Sequence, residues 1–419
     1  MKNFKVYKYR WVVLLSMIPV LVVTQMFWLT FAPITGDAEK YYDVSALGIA
    51  LLSMSYMVVY IIMAIPASWL VDTKGFRVAM GFGAIITAAF GMMRGLFASN
   101  FTIVVIAQMG VAIGQPFLMN STTKAAARWF PVNERATATG IASMAGYIGM
   151  VIALILTPLL ASSYGIANML MIYGYVAIAC AVIFIAFSRE RPETPPGHEE
   201  EIISKPNFKD VKTIIYNKNF VYLAISFFVI MGVFNAIMTW IEDMLRPKGI
   251  SPEQAGLIGG SMVVVGLVGA ILLPAMSDKM RNRRSFLVWP IVGAIPGLIG
   301  MTIFSDFTLL MVSAAIMGFF IMGMGPVAFQ YGTEIAYPIP EGTSYGILMM
   351  MGQISGILFI CFMNVLRTPG TGAMTLSMVI LTVLVAASLL VIVRLKESRL
   401  ITENKQEANI QPASAFDGK

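Results

Sequence analysis

The stretch SWLVDTKGFR, residues 68–77, decides the fold. It ends one apolar run (46–71) and leads into the next (78–98), so it is a short polar reversal between two segments each long enough to cross a bilayer. Asp72 stands where the first helix ends, Gly75 permits the tight turn, and Arg77 stands where the second helix begins. A carboxylate in that place meets a neighbouring helix N-terminus or an arginine, a contact expected in one conformation and broken in another. The pattern returns in the second half of the chain as Asp278 and Arg283, without the glycine, which makes the second copy the weaker latch. At nearly the same offset Pro131 and Glu134 return as Pro338 and Glu341. The chain is two copies of one unit.

Working outward, the composition agrees. Of the 419 residues 58% are hydrophobic and 12% charged, with a mean hydropathy of +0.79; a soluble domain is about a quarter charged. A water-soluble globule is excluded, and the chain is a polytopic all-α membrane protein. Twelve spans are expected near 11–31, 46–71, 78–98, 101–126, 136–160, 165–187, 219–241, 254–276, 285–304, 307–330, 343–366 and 373–393. They give an N-terminal six-helix bundle (1–187), a hydrophilic linker (188–218), a C-terminal six-helix bundle (219–393) and a tail (394–419). The linker holds the only histidine, His198, and an amphipathic segment near 208–216. Lys2, Lys5, Lys8 and Arg10 before an apolar stretch resemble a signal peptide, but 11–31 is long enough to span and no A-x-A site follows, so it reads as a retained first helix.

Of the 29 Lys and Arg, all but Lys40, Arg94, Arg246, Lys248 and Arg367 fall on the side of the N-terminus, linker and tail. That asymmetry puts both termini and the linker in the cytoplasm of a cell-membrane protein. The net charge of +7 is thereby assigned to orientation, not to a nucleic-acid partner. Cys180 and Cys361 lie in apolar blocks and imply neither a disulfide nor a metal site. A lone histidine in a polar linker anchors no catalytic triad, so no catalytic residue, cofactor or metal is expected.

Two parallel halves of six spans are the organisation of the major facilitator superfamily, whose substrate site lies between the halves near mid-membrane. The 68–77 stretch resembles that superfamily's loop motif, keeping Asp72, Gly75 and Arg77 but with Ser68 and Thr73 in place of its leading Gly and first Arg. Further stretches resemble the feline leukaemia virus subgroup C receptor family, facilitators associated with choline, ethanolamine and haem. They are YRW (9–11), YYDVSA (41–46), LSMSYM (52–57), QPF (115–117), WFPVNE (129–134), EIAYPIPEGTSYG (334–346) and QISGI (353–357).

That resemblance implies a quaternary-ammonium cage in which Trp28, Gln115 and Gln353 occupy the family's aromatic and amide positions, while the family's tyrosine of span seven falls on Asn235. Trp240, Phe27, Phe31 or Tyr331 would supply a second wall, since an aromatic face holds a desolvated cation by about 2 kcal/mol. Asn120 is kept as further lining. The alternative for Trp28 is an interfacial anchor, and for Gln115 and Gln353 interhelical hydrogen bonding. The family's acidic residue early in span two is replaced by Ala50, which counts against a strictly cationic cargo.

No carboxylate occupies a span centre. Arg94 is expected to pair with an acid such as Asp37 or Asp43. Lys124 and Arg128 are expected to snorkel or pair with Glu134, anion binding being the alternative, and Glu334 and Glu341 to meet basic residues such as Arg128, Arg135 or Arg77. Asp72, Gly75, Arg77, Asp278, Arg283, Glu134 and Glu341 make the gating set. Gly323 to Pro326 is the preferred hinge, a purely structural kink being the alternative. The reading is a monomeric alternating-access carrier of a small organic solute, such as a choline-like amine, working as a uniporter. The alternatives are a proton-coupled carrier of a small organic anion or haem-related cargo, with Glu242 and Asp243 as proton carriers, and a non-transporting receptor.

Overall fold

The structure is a computed structural model that describes residues 6–194, 208–337, 339 and 341–397. His198, Pro338 and the tail beyond residue 397 lie outside the described residues. The first apolar block forms α1 (Tyr9–Trp28), which passes through a 3-10 turn at Ala32–Ile34 into the short α2 (Thr35–Tyr42). There follow α3 (Ala46–Lys74), α4 (Phe76–Leu96), α5 (Phe101–Trp129) and α6 (Val132–Phe187). The second half holds α7 (Phe208–Tyr216), α8 (Lys218–Thr239), α9 (Ile241–Leu245), a 3-10 turn at Arg246–Lys248, α10 (Pro252–Met280), α11 (Ser285–Ile303), α12 (Phe307–Ala336), α13 (Glu341–Val365) and α14 (Thr375–Ile392).

Among the described residues 11 helices are long and apolar enough to cross a membrane. The fold is thus an all-α, multi-pass membrane fold, with 11 such helices where twelve separate spans were expected. The difference lies in α6, which covers both 136–160 and 165–187 without an intervening loop. It is interrupted at Gly165, whose φ of 78° and ψ of 160° are not helical, so two helices abut there. Only glycine adopts that conformation cheaply.

Starts and stops are local chemistry. Ser45, Asn100, Asn217, Ser251 and Asp306 cap α3, α5, α8, α10 and α12, each side chain accepting from backbone N–H groups of the first turn. In the second half Lys248 binds the carbonyls of Met301, Thr302 and Phe304 at 2.6, 2.9 and 2.8 Å, closing the C-terminus of α11.

Within the first half one polar knot ties four helices. The buried Arg94 of α4 donates to Gln108 Oε1 of α5 and, at 3.3 Å, to Thr30 Oγ1, and its guanidinium lies 4.4 Å from the Phe27 ring centroid. Gln108 Nε2 in turn donates to the carbonyls of Phe27 in α1 and Leu52 in α3, at 3.1 and 3.2 Å. Arg94 therefore does not pair with Asp37 or Asp43. It is compensated by an amide, a hydroxyl and an aromatic face, which spares a second buried charge.

The two halves meet through α6 against α10 and α3 against α13. Close approach at the first needs Gly256, where a Cβ would run into the Leu154 carbonyl oxygen. At the second, Gly356 of α13 faces both Met57 of α3 and Asn235 of α8.

Candidate functional site

Trp28 ends α1 as the helix gives way to the 3-10 turn, and its carbonyl accepts from Ser53 Oγ at 3.1 Å. The ring is 8% exposed and its Nε1–H is a buried donor with no acceptor. One turn earlier lies Gln25, whose Oε1 accepts from Gln115 Nε2 at 2.8 Å. Gln25 was missed from sequence, although an amide spaced three residues before Trp28 in an apolar helix shares its face. Across the molecule Asn235 Nδ2 donates to the Gly352 carbonyl at 3.1 Å, next to the half-buried Gln353. One turn from there, Gly356 brings Asn235 within reach of Met57 of the first half.

Three other expected lining residues have their polar atoms engaged in packing. Trp240 is fully buried and donates to the Ile360 carbonyl at 3.1 Å. Asn120 donates to Ser68 Oγ at 3.0 Å, joining α5 to α3. Tyr331 donates to the Lys396 carbonyl at 2.6 Å, at the start of the tail.

The face carrying the linker holds two corresponding charge clusters, one in each copy. In the first copy Asp72 accepts from Lys124 at 3.1 Å, and the Arg77 backbone N–H donates to Glu190 at 2.7 Å. Arg128 lies 2.8 Å from the same Glu190, whose carboxylate fills the space beside Gly75. In the second copy the place of Gly75 is taken by Arg281, which accepts the left-handed conformation at φ 48°. Arg283 binds Asp278, Ser277 and Glu334, and its backbone N–H donates to Glu397 at 3.0 Å. Glu190 and Glu397 are thus counterparts, while the charges on α5 and α12 are exchanged: Arg128 in one, Glu334 in the other. The second copy, for all its lack of glycine, carries the denser set of bonds. Glu134 forms a two-pronged pair with Arg10 at 3.1 and 3.3 Å, and so is not the partner of Lys124 or Arg128. Glu334 meets Arg283 rather than Arg128, Arg135 or Arg77. Glu341 opens α13, and its side chain lies outside the described residues. Each of these ion pairs lies within one half.

The opposite face differs. Arg246, in the 3-10 turn after α9, binds Glu39 of α2 at 3.1 Å, Glu242 at 2.8 and 2.9 Å and Asp243 at 2.9 Å. The Gly36 backbone N–H donates across to Glu242 Oε2 at 3.0 Å, and Arg367 donates to Asp243 Oδ1 at 2.8 Å. Among the described residues Arg246–Glu39 is the one ion pair that joins the two halves. Asp243 is buried; that burial, opposed by Arg367 and Arg246, pushes its carboxyl up to about 6. Glu39, Glu190 and Glu397 are further residues that sequence reasoning did not place.

Membrane-length helices in two halves that repeat the same charged reversal, braced within each half at one face and, among the described residues, tied across the halves by an ion pair at the other, are the architecture of a membrane transporter that works by alternating access. A sequence profile of the Major Facilitator Superfamily matches residues 14–360, and the chain belongs to that superfamily. Within it the chain is related to the FLVCR and solute carrier 49 family. It is 28% identical over 389 residues to zebrafish (Danio rerio) solute carrier family 49 member A3, covering 88% of this chain and 80% of the relative. It is 31% identical over 390 residues to the choline/ethanolamine transporter FLVCR1 of Mus terricolor, covering 84% and 68%. Among solved structures, a bacterial homologue of the human lysosomal transporter Spinster, inward-facing and unoccupied, superposes with a TM-score of 0.76 at 18% identity, over 96% of this chain and 99% of that one.

Proposed function

We propose that this chain is a uniporter for a small choline-like amine, with Trp28, Gln25, Gln115, Asn235 and Gln353 facing the solute. The observation that carries the reading is a buried tryptophan with a free N–H, beside paired neutral amides, in helices whose interiors hold no Asp or Glu among the described residues. An aromatic face attracts a quaternary ammonium, and amides and an indole N–H bind a hydroxyl, without a fixed counter-charge. The relatives named as choline/ethanolamine transporters support the same cargo class. With no Asp or Glu in the helix interiors among the described residues, a cation would be driven by the potential alone, about 2.3 kcal/mol per 100 mV.

Gly165 divides α6 into two spans, giving twelve in two bundles of six, at 1–187 and 219–393, joined by the linker at 188–218. The linker face, which bears most Lys and Arg, lies in the cytoplasm of a cell-membrane protein, and the Arg246 cluster closes the outer face. Asp72, Gly75, Arg77, Asp278, Arg283 and Glu134 brace each half at the cytoplasmic face, and Glu341 is assigned to the same set by its place in the repeat.

A second reading, carriage of a small organic anion, draws on Ala50 and on the buried Arg94, which has no carboxylate partner. Uptake into proteoliposomes at a clamped potential separates the two. Choline accumulation that follows the potential, ignores a pH gradient and loses saturation in Trp28→Ala supports the proposal. Uptake of carboxylates in preference to choline, or accumulation driven by a proton gradient at zero potential, overturns it.

A further inference from the structure

The outer cluster is out of charge balance. Three carboxylates, Glu39, Glu242 and Asp243, face two guanidiniums, Arg246 and Arg367. The groups around Asp243 are contributed by α2 (Glu39), by α9 itself (Glu242), by the turn after α9 (Arg246) and by the loop after α13 (Arg367). From α10, Glu253 is bound to Ser251; α8 and the 3-10 turn at Ala32–Ile34 bring no ionisable side chain against it. Both guanidiniums bind the same oxygen of Asp243, Oδ1, whereas Oδ2 is buried with no hydrogen-bond partner. A carboxylate oxygen left bare in a buried cluster with one negative charge too many is where a proton is most readily accepted.

The proton has a way in. A cavity of about 270 Å³, lined by Asp243, Arg246, Pro247, Arg367 and Thr371, lies over the carboxylate, and Pro247 and Thr371 at its rim are exposed. It faces the side opposite the linker, so exchange takes place with that side while the halves are closed together.

We propose that Asp243 is a proton-binding site of the outer gate, and that acid on the outer side, by neutralising it, holds the gate closed. Protonation at Oδ2 leaves Oδ1 to both arginines and removes the surplus charge, so the bonds that close the gate survive it. The proton returns to the side it came from when the gate opens, so external pH modulates transport without driving it. This goes beyond the assignment of a cargo and does not depend on it.

The sign and size follow from linkage. In the closed state the carboxyl titrates at about 6; opened to water it reverts toward the ordinary aspartate value of about 3.9. The closed state binds the proton more tightly, so it gains as pH falls through 6 and gains nothing further below the open-state value. Between pH 7 and 5 the closed-to-open ratio rises about tenfold.

The test uses the full chain in proteoliposomes with Cys180 and Cys361 replaced by Ala. Ala38→Cys places a thiol at a buried position of α2 beside Glu39, and Lys40→Cys places one at an exposed position of the same helix. The rate of modification by a membrane-impermeant maleimide at the first, divided by the rate at the second, reads the open fraction free of thiol chemistry. We expect that quotient to fall from pH 7 to 5, by about tenfold where the closed state dominates at pH 7 and by less where it does not. It should be independent of pH in Asp243→Asn. In Arg367→Gln, which leaves Asp243 in place but removes one guanidinium, the fall should begin at a higher pH. A quotient equal at pH 7 and 5 in the parent overturns the proposal, as does the same fall persisting in Asp243→Asn. Ala38→Cys that never reacts overturns it too, because a gate that does not open has no equilibrium for a proton to shift.

Discussion

Replacing Gln108 by Leu removes the acceptor that Arg94 uses, and the knot described above sets the cost. Arg94 is wholly buried, and after the substitution its guanidinium keeps Thr30 Oγ1 and the Phe27 ring but loses its amide partner. Stranding a buried charge costs about 3–5 kcal/mol. The lost bonds from Gln108 Nε2 to the Phe27 and Leu52 carbonyls add roughly 1 kcal/mol each. Arg94→Met alone leaves the Gln108 acceptor bare, at about 1–3 kcal/mol. In the double variant no charge is stranded and no acceptor is left facing it, so only the bonds to the two carbonyls are lost, roughly 2 kcal/mol. The expected outcome is therefore non-additive: Arg94→Met/Gln108→Leu should be more stable than Gln108→Leu alone by at least about 2 kcal/mol. Thermal unfolding of the four detergent-purified proteins, followed by tryptophan fluorescence, measures the cycle. Two single effects that simply add, or a double variant less stable than Gln108→Leu, would refute the reasoning.

Gly256→Leu should force α10 away from the Leu154 carbonyl, hold the two halves apart at the face opposite the linker and abolish uptake, while raising maleimide modification of a thiol on that face; unaltered uptake would show that this contact is not part of closure. Asp72→Asn should shift the conformational equilibrium less than about fivefold, because its pair with Lys124 is exposed and such pairs contribute at most about 1 kcal/mol. Arg283→Gln, which strips the buried Glu334 and Ser277 of their partner as well as releasing the exposed Asp278, should lower thermal stability far more than Asp72→Asn, and equal losses would contradict the geometry. Lys248→Met should free the last carbonyls of α11 at a cost of about 2–3 kcal/mol, read as a lower unfolding temperature with the cargo's KM unchanged.

The helices were legible because hydropathy blocks of membrane length leave few other structures open to the chain, and because Asp72/Arg77 and Asp278/Arg283 mark the same reversal twice. The partners were not. Arg94 looked for an acid because a buried guanidinium is usually paired with one, yet packing supplied an amide and a ring that no spacing rule connects to it. Glu39, Asp243 and Arg367 are far apart in the chain and meet because α2, α9 and the loop after α13 close over one point. Glu190 and Glu397 were within reach: carrying the Glu134/Glu341 correspondence to the ends of the two halves takes one to the other. Gly165 was passed over because a single glycine between two apolar runs looks like ordinary small-residue packing, whereas its backbone conformation is what separates them.

The hydrogen bond from the Gly36 amide to Glu242 has a use beyond holding two helices together. It is a backbone proton of one half sequestered by a carboxylate of the other, whereas the Arg77, Arg283 and Arg284 amides are held by Glu190 and Glu397 inside their own halves. In deuterated water the last three should exchange at rates set by local breathing, whichever way the transporter faces. The Gly36 proton is released each time the halves part on that side. Its exchange rate relative to theirs is a clock for the turnover of the empty carrier, readable by mass spectrometry in a protein to which no label, substrate or inhibitor has been added.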